Sequence, residues 1–443
     1  MQRWLGRLSF LLACLAVVVL LVFAGLRSIA MLGVGIGAAA VSLAAAYSAL
    51  SHRRLWRWLA LAAFVAAPVA VIIVYAFAGL LWVALVSAAL WLLAATTARS
   101  ALAIGQPDWR MPEHAATPAA AHPFLIMNPR SGGGKVGTFD LKRKAEALGA
   151  RVFLMNGGEV DVAAVADEAI AGGADLLGVA GGDGTQGLVA GIAARHGIPF
   201  LVITAGTRNH FALDLGLDRN DPATCLDALS DGVDLLVDLG EVDGRTFVNN
   251  ASFGTYAEVV DTPAYRGDKL ATTLDLLPEM LQGQRGSRLT AYVDDAEIDA
   301  PQALLVANNP YGTGDLAGLS HRTRLDRGVL SVVAITIGSA RQAAGLFRGR
   351  NATGLTIRTA QHVTVTANAP QIPVGIDGEA VSLPTPIRCV IHPAALRVRV
   401  PRHRPGVRPP KPPLNWAQLR RVAALRPLRE QSTKDRQEGE ARR

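Results

Sequence analysis

Three glycine-rich segments and one late pair of carboxylates are where this sequence could do chemistry. Asn128-Pro129-Arg130-Ser131-Gly132-Gly133-Gly134-Lys135 follows a short apolar run. Its glycines would let backbone N–H groups approach an anion, a helix starting near Thr138 would aim its positive end at it, and Lys135 adds a full charge. That chemistry suits a phosphate. The segment is not a P-loop, because Pro129 stands where the first Gly belongs and Val136 where Ser or Thr would meet magnesium. Gly132, Gly134 and Gly137 do satisfy Gly-x-Gly-x-x-Gly, so a dinucleotide site and a plain flexible turn both remain readings of this segment alone.

The second loop is Gly181-Gly182-Asp183-Gly184-Thr185 and the third is Gly206-Thr207-Arg208-Asn209-His210. Alone, an Asp between glycines reads as a turn. All three loops, however, fall at the carboxyl ends of strands expected to run parallel, the edge where open α/β sheets bind ligands. The fourth feature is Gly375-Ile376-Asp377-Gly378-Glu379, where Asp-Gly also fits a hairpin turn.

The elements that must position these residues follow from the apolar pattern. Phe124 to Met127, Arg151 to Met155, Leu176 to Ala180 and Phe200 to Thr204 have strand length; Asp140 to Leu148, Val162 to Ala171 and Thr185 to His196 have helix length and spacing. Alternating strand and helix predicts a doubly wound α/β domain over 123–245. From about Asp234 strands follow one another without helices: Thr246 to Ser252, Arg288 to Ile298, Gln302 to Asn308, Val329 to Ile335, Val363 to Ala367, Ile372 to Ile376 and Ile387 to Ile391. They predict a mainly antiparallel β domain over 246–400. A linker rich in Ala and Pro (101–122) precedes the α/β domain. A basic, Pro- and Arg-rich tail (401–443) closes the chain, with a candidate helix from Leu414 to Leu428 that reads either as a disordered end or as a segment lying on anionic lipid.

Residues 1–100 have another character. Apolar stretches at about 8–26, 29–50, 59–77 and 79–98 are each long enough to cross ~30 Å of hydrocarbon. Arg3, Arg7, Arg53, Arg54, Arg57 and Arg99 would share one side and Arg27 would take the other, which predicts four transmembrane helices with both ends in the cytoplasm. No small-residue cleavage site leads into soluble sequence, so a cleavable signal peptide fits poorly. The spans hold no Asp, Glu, Lys or His, which favours an anchor over a transporter.

Charge supports this division. The 443 residues carry 44 basic and 36 acidic side chains, net +8, but residues 1–100 hold seven Arg and no acid, 101–396 hold 23 basic and 32 acidic, and 397–443 hold 14 and 4. The folded middle is acidic and the flanks basic, the reverse of a nucleic-acid binder and what an anionic membrane surface attracts. Cys14, Cys225 and Cys389 are odd in number and far apart, so no disulfide framework or zinc site is expected.

Taken together, Asn128 to Lys135, Gly181 to Thr185 and Gly206-Thr207-x-Asn209, in this order, resemble the catalytic domain of the diacylglycerol kinase family, which includes sphingosine kinases and bacterial lipid kinases. The likeness covers about residues 123–400. It implies that ATP binds between an α/β and a β domain, and that its γ-phosphoryl group moves to a lipid hydroxyl. It implies further that Asn128, Ser131, Lys135, Gly182, Asp183, Gly184, Thr185, Gly206, Thr207 and Asn209 line the nucleotide site. Asp377-Gly378-Glu379 is similar to the family's Asp-Gly-Glu motif, which makes Asp377 the general base and Glu379 its acidic partner. An alcohol is a poor nucleophile, so a carboxylate that takes its proton suits the reaction. By the same resemblance Asp238 helps hold Mg2+ through water, and magnesium is expected on charge grounds wherever ATP meets an acidic network. The chain departs from the family at His210 and Tyr256, where Asp is common, and at Arg327 and Ser331 in a segment that binds a structural cation in some members.

The expected protein is therefore a multi-pass cell-membrane lipid kinase with a cytoplasmic catalytic domain. Its expected partners are the membrane and a lipid in the bilayer, without nucleic acid, and homodimer formation is left open. Two alternatives are a nucleotide-binding regulatory module that has lost catalysis, favoured by His210 and Tyr256, and a kinase of the same superfamily acting on a soluble acceptor.

Overall fold

The structure is a computed structural model; it describes residues 1–25, 27–51, 55–104, 110–115, 120–156, 160–254, 287–311, 321–322, 324–336, 354–407 and 414–424. Tyr256 lies outside the described residues. The chain forms two compact units, one from Met1–Ala46, Ala60–Asp108 and Pro409–Arg443, the other from Tyr47–Leu59 and Trp109–Arg408.

The first unit contains α1 (Gln2–Ala24), α2 (Arg27–Ser51), α3 (Leu55–Phe77) and α4 (Leu81–Ala103), each long and apolar enough to cross a membrane. Small residues let α1 and α4 approach closely: Ser9, Ala16 and Ala24 are buried on one helix, Ser87, Ala94, Ala98 and Ala101 on the other, and Gly6 of α1 lies against Ala423 of the tail. Ser9 Oγ donates to the Ala94 carbonyl (2.8 Å) and Ser87 Oγ to that of Ala16 (3.2 Å), so each hydroxyl is satisfied across the contact. Tyr75 Oη on α3 donates to the Met31 carbonyl on α2 (2.6 Å). The tail returns to this unit. Leu419 is buried among Leu5, Phe10, Ala98, Ala101 and Leu102, and Trp416 has ring centroids 5.8 Å from Phe10 and 6.4 Å from Trp91. The tail helix expected from Leu414 to Leu428 is seen over Trp416–Ala424; the remainder of that span lies outside the described residues.

The second unit begins with β1 (His114–Ala115), β2 (Pro123–Met127), α5 (Lys135–Thr138), α6 (Leu141–Ala147), β3 (Arg151–Leu154), α7 (Val162–Ala171), β4 (Leu176–Ala180), α8 (Asp183–Arg195), β5 (Phe200–Ile203) and α9 (His210–Asp214). Strands β5, β4, β2 and β3 lie side by side in that order and all run parallel. β2 and β4 are buried at every position, as strands covered on both faces should be. α7 starts where Asp161 caps it, its carboxylate accepting from the Ala163 and Ala164 amides (3.1 Å each).

The chain then forms β6 (Gly232–Val242), β7 (Arg245–Phe247), β8 (Asn250–Gly254), β9 (Leu289–Val293), β10 (Ala296–Asp299), β11 (Ala303–Asn308), β12 (Leu330–Ile335), β13 (Leu355–Ala360), β14 (His362–Ala367), β15 (Gln371–Ile376), β16 (Glu379–Pro384) and β17 (Ile387–Pro401). A six-stranded antiparallel sheet runs β13-β12-β11-β8-β15-β16. The other late strands join the parallel ones in a single mixed sheet, through β17, which pairs antiparallel with β6 and β14 and parallel with β5. The expected fold class holds: apolar helices, then a largely parallel sheet, then an antiparallel one.

Three expectations change in detail. The strand expected from Thr246 to Ser252 is broken at Val248-Asn249, because those amides bond to a side chain instead of a strand partner. The strand expected from Arg288 to Ile298 is a hairpin turning at Asp294 (φ 49°). The helix expected from Asp140 to Leu148 is α6, but the single turn of α5 stands between it and the first glycine loop, so a strong helix dipole does not point at that loop.

Candidate active site

The parallel strands reverse their direction of progression between β2 and β4, and the loops after these two strands carry the first two motifs. This is the switch point at which open α/β sheets form a crevice. The Asn128 amide donates to the Ala180 carbonyl (2.9 Å), and Asn128 Oδ1 accepts from the Arg130 amide (3.0 Å), which turns the chain sharply away from the sheet. Ser131 enters the turn by donating its amide to the Asn128 carbonyl (3.1 Å). Gly132, Gly133 and Gly134 all have positive φ (56°, 76° and 86°), and a Cβ at Gly132 would strike the Ala205 carbonyl oxygen. Glycine is therefore a steric requirement here. Lys135 Nζ donates to the Thr204 (3.3 Å) and Arg219 (2.9 Å) carbonyls, tying the loop to the end of β5. A cavity of about 490 Å³ results, lined by Gly132, Gly133, Lys135, Gly206, Thr207 and Arg219 among others.

The second motif opens α8. Gly182 is its N-cap, Asp183 and Gly184 form its first turn, and Gln186 Nε2 donates to the Gly181 carbonyl (3.1 Å). The Asp183 carboxylate makes only long contacts, to the amides of His210 (3.3 Å) and Phe211 (3.4 Å). Asn209, in the left-handed region (φ 54°), donates from Nδ2 to the Gly206 (2.7 Å) and Thr204 (3.2 Å) carbonyls and so closes the third loop on itself. A Cβ on Gly206 would sit 2.7 Å from the Gly181 carbonyl oxygen. Burial pushes the pKa of His210 below its ordinary value, against the pull of Asp183 and Asp214.

Asp377 and Gly378 are the central residues of the β15–β16 hairpin, with φ of 47° and 88°, the signature of a type I′ turn. The turn reading of Asp-Gly holds. The Asp377 carboxylate accepts from three consecutive amides, Val248 (2.8 Å), Asn249 (2.8 Å) and Asn250 (3.0 Å). Burial pushes its pKa up to about 7, opposed by these three bonds and reinforced by the Asp183 charge. Exposed Glu379 lies against Gly184 at the start of α8. A second cavity, of about 370 Å³, is lined by Gly184, Thr185, Asp377 and Glu379 together with Arg195, Arg245 and the apolar Val162, Leu188 and Val381.

The Gly181–Thr185 turn is thus common to both halves of the site: Gly206 packs on one side of it and Glu379 on the other. Asp238 is not gathered with them. It is buried on β6, and its carboxylate accepts from Gly328 N (2.6 Å), Ala394 N (2.8 Å) and Asn309 Nδ2 (2.9 Å), a set that braces three segments of chain and leaves little for a metal. Among the described residues no three His, Cys, Asp or Glu side chains come together as a metal cage. Sequence reasoning did not identify Arg219, Arg195, Arg245, or the 248–250 amides; Asn249-Asn250 inside an apolar strand was the available signal for the last.

A parallel sheet with glycine loops at its switch point, combined with an antiparallel sheet that delivers an Asp-Gly turn, defines a class. Residues 122–242 match the family model described as "Diacylglycerol kinase catalytic domain". The resemblance read from the loops holds over these residues. The chain is 40% identical over 112 residues to a "Diacylglycerol kinase" of Bacillus subtilis, covering 25% of this chain but only 36% of the length of that relative. It is 29% identical over 311 residues to a "Probable lipid kinase YegS-like" of Pseudomonas aeruginosa, covering 65% of this chain and 97% of that one. The fold resembles the crystal structure of a putative diacylglycerol kinase from Bacillus anthracis, with a TM-score of 0.51 at 18% identity over 65% of this chain and 99% of the other.

Proposed function

We propose that this protein is a membrane-anchored lipid kinase that transfers the γ-phosphoryl group of ATP to the hydroxyl of a diacylglycerol-like or related lipid. The observation that carries the reading is the Gly181–Thr185 turn, shared between a glycine-walled cavity holding Lys135 and a groove holding Asp377 and Glu379. Backbone N–H groups of the glycine loops and Lys135 would receive the phosphates, with Asn128, Ser131, Gly182, Asp183, Thr185, Thr207 and Asn209 shaping the loops. In the transfer, the lipid O–H bond breaks as its oxygen bonds to the γ-phosphorus, the bond to the leaving β-phosphate oxygen breaks, and ADP departs. Asp377 takes the proton. A base with a pKa near 7 is well matched to that task at neutral pH. Magnesium, held through the phosphates and one or two carboxylates such as Asp183, would supply neutralising charge.

One observation favours a second assignment within the same function. Asp377 spends its oxygens on three amides, whereas Glu379 is exposed beside Gly184; in this reading Glu379 takes the proton and Asp377 fixes the turn. The four apolar helices keep the enzyme at the bilayer from which its substrate cannot leave, raising local concentration without tight binding. The test is to incubate membranes containing the protein with γ-labelled ATP, magnesium and a total lipid extract. Label in the organic phase that disappears in Asp377→Asn supports the proposal. Label confined to the aqueous phase points to a soluble acceptor, and nucleotide binding without transfer points to a regulatory module. Loss in Glu379→Gln with activity retained in Asp377→Asn would select Glu379 as the base.

A further inference from the structure

Arg322 is fully buried, yet neither the loops nor the proposed chemistry uses it. Its backbone amide donates to Asp214 Oδ1 (3.0 Å) and its Nε to Asp214 Oδ2 (2.6 Å), which anchors the guanidinium to the end of α9. The rest of the fork is spent on the segment that holds Asp377. Nη1 donates to the Val248 (2.7 Å), Asn249 (3.3 Å) and Asn308 (2.8 Å) carbonyls, and Nη2 to Asn249 Oδ1 (2.6 Å). Val248 and Asn249 therefore face Arg322 with their carbonyls and Asp377 with their amides. Asn250, the third amide on Asp377, is fixed from its side chain, whose Nδ2 donates to Tyr311 Oη (3.0 Å) under the guanidinium, 5.7 Å from the Tyr311 ring centroid.

We propose that Arg322 is a positioning residue: it clamps the 248–250 segment so that three amides stay aimed at the Asp377 carboxylate. This rests on the proposed role of Asp377. The break between β7 and β8 takes Val248 and Asn249 out of the strand ladder, and a planar guanidinium with five donors can take up several carbonyls at fixed angles where an ammonium cannot. Burying such a charge is unfavourable unless it is paired and fully bonded, and here Asp214 pairs it. Loss of the clamp would let the amides tilt away, and a carboxylate that loses N–H donors becomes easier to protonate. The other groups facing Asp377 are Asp183 from α8, Glu379 of the same hairpin, Tyr311, and Arg195 and Arg245 across the groove; His210 and His321 stand around Asp214.

The test uses the full chain in lipid nanodiscs, comparing the parent with Arg322→Lys, which keeps the charge and loses the fork, and with Asp377→Asn. For Arg322→Lys the clamp predicts faster hydrogen exchange at the amides of Val248, Asn249 and Asn250. It also predicts kcat lowered by about 100-fold, in the range that slight misplacement costs, KM for ATP within about twofold, and the acid limb of the pH–rate profile moved upward by about one unit. A fall in activity that only tracks the unfolded fraction, with the acid limb and the 248–250 exchange unchanged, would overturn the proposal. If Arg322→Lys does not fold, Asn249→Ala, which removes only the acceptor of Nη2, must move exchange and acid limb the same way by less; no movement is again a refutation. Undiminished transfer by Asp377→Asn would instead sink the base assignment, while faster exchange in Arg322→Lys would still show the clamp.

Discussion

The two units of this chain bury opposite kinds of residue. In the helical unit most buried positions of α1 and α4 are small (Gly6, Ser9, Ala16, Ala24, Ser87, Ala94, Ala98 and Ala101, beside Val83 and Leu102), while Val22, Leu85 and Leu92 are 67%, 62% and 69% exposed. In the kinase-like unit Leu125, Val179, Phe200 and Val398 are buried, and interior charges occur as pairs such as Arg322 with Asp214 and Arg399 with Asp234. Water would drive the large apolar side chains inward in both; lipid offers no such drive, so contact between apolar helices is left to small residues that pack closely. One unit places its information in a few polar atoms, the other in length, apolarity and small-residue faces. Sensitivity to substitution should divide the same way.

The largest effect is expected at Asp377. Asp377→Asn should lower phosphoryl transfer by about 10³-fold, within the range for removal of a general base, and parent activity should fall as pH drops below about 7, where the carboxylate protonates. The same group gives stability a pH dependence of definite sign. Its folded pKa is raised from 3.8 to about 7, so the folded state binds the proton more readily than the unfolded chain. This contribution to stability is complete below the unfolded value and is lost as pH rises through about 7. Thermal unfolding of the parent and of Asp377→Asn at pH 5 and pH 8 measures it: the parent should lose stability toward pH 8 by more than the variant does. Equal pH dependence in both would mean that the carboxylate is not held in a desolvated setting.

Next in size is Gly132→Ala. The added Cβ would meet a backbone oxygen, and the residue sits at φ 56°, where an L side chain costs about 1–2 kcal/mol before any clash. Binding of an ATP analogue, measured by calorimetry, should weaken by at least about tenfold while the four apolar helices are unaffected. Gly184→Ala makes a milder comparison, since its Cβ would meet only the mobile end of Glu379. Equal losses in the two variants would show that φ and backbone contact do not set the requirement.

The difference between the units also explains what the sequence disclosed. The apolar spans, the parallel strands and the glycine loops were legible because each follows from a local rule: length, period, or a residue type that a backbone angle demands. The anchor around Asp377 was not. Val248 and Asn249 read as the middle of a strand, and only a carboxylate 128 residues away in the chain shows why they leave it. Arg322 gave no signal either, because its acceptors are carbonyls of distant segments, and main-chain acceptors carry no sequence identity. The partners of Asp238 were hidden for a related reason. A carboxylate after a strand looks the same on paper whether it meets a cation or, as here, N–H groups of Gly328, Ala394 and Asn309.

The helical unit should respond least, and selectively. Leu419→Asp would place an unpaired charge among Leu5, Phe10, Ala98, Ala101 and Leu102, and should release the tail helix (Trp416–Ala424) at about 3 kcal/mol, within the range for an unsatisfied buried group. Faster proteolysis near residue 416 would report that release. Ser87→Leu puts a large side chain where α4 approaches α1 and removes the bond to the Ala16 carbonyl, so thermal unfolding in nanodiscs should shift by about 1–3 kcal/mol. Leu92→Ala, only five residues further along α4, should change it by less than about 0.5 kcal/mol, because that side chain is exposed and would meet lipid before and after the change. In water-soluble helices the order of these two would be reversed, since the leucine would be the buried contact and the serine the exposed one. Measured values in that reversed order would remove the grounds for treating the four helices as a membrane unit, whatever the catalytic unit turned out to do.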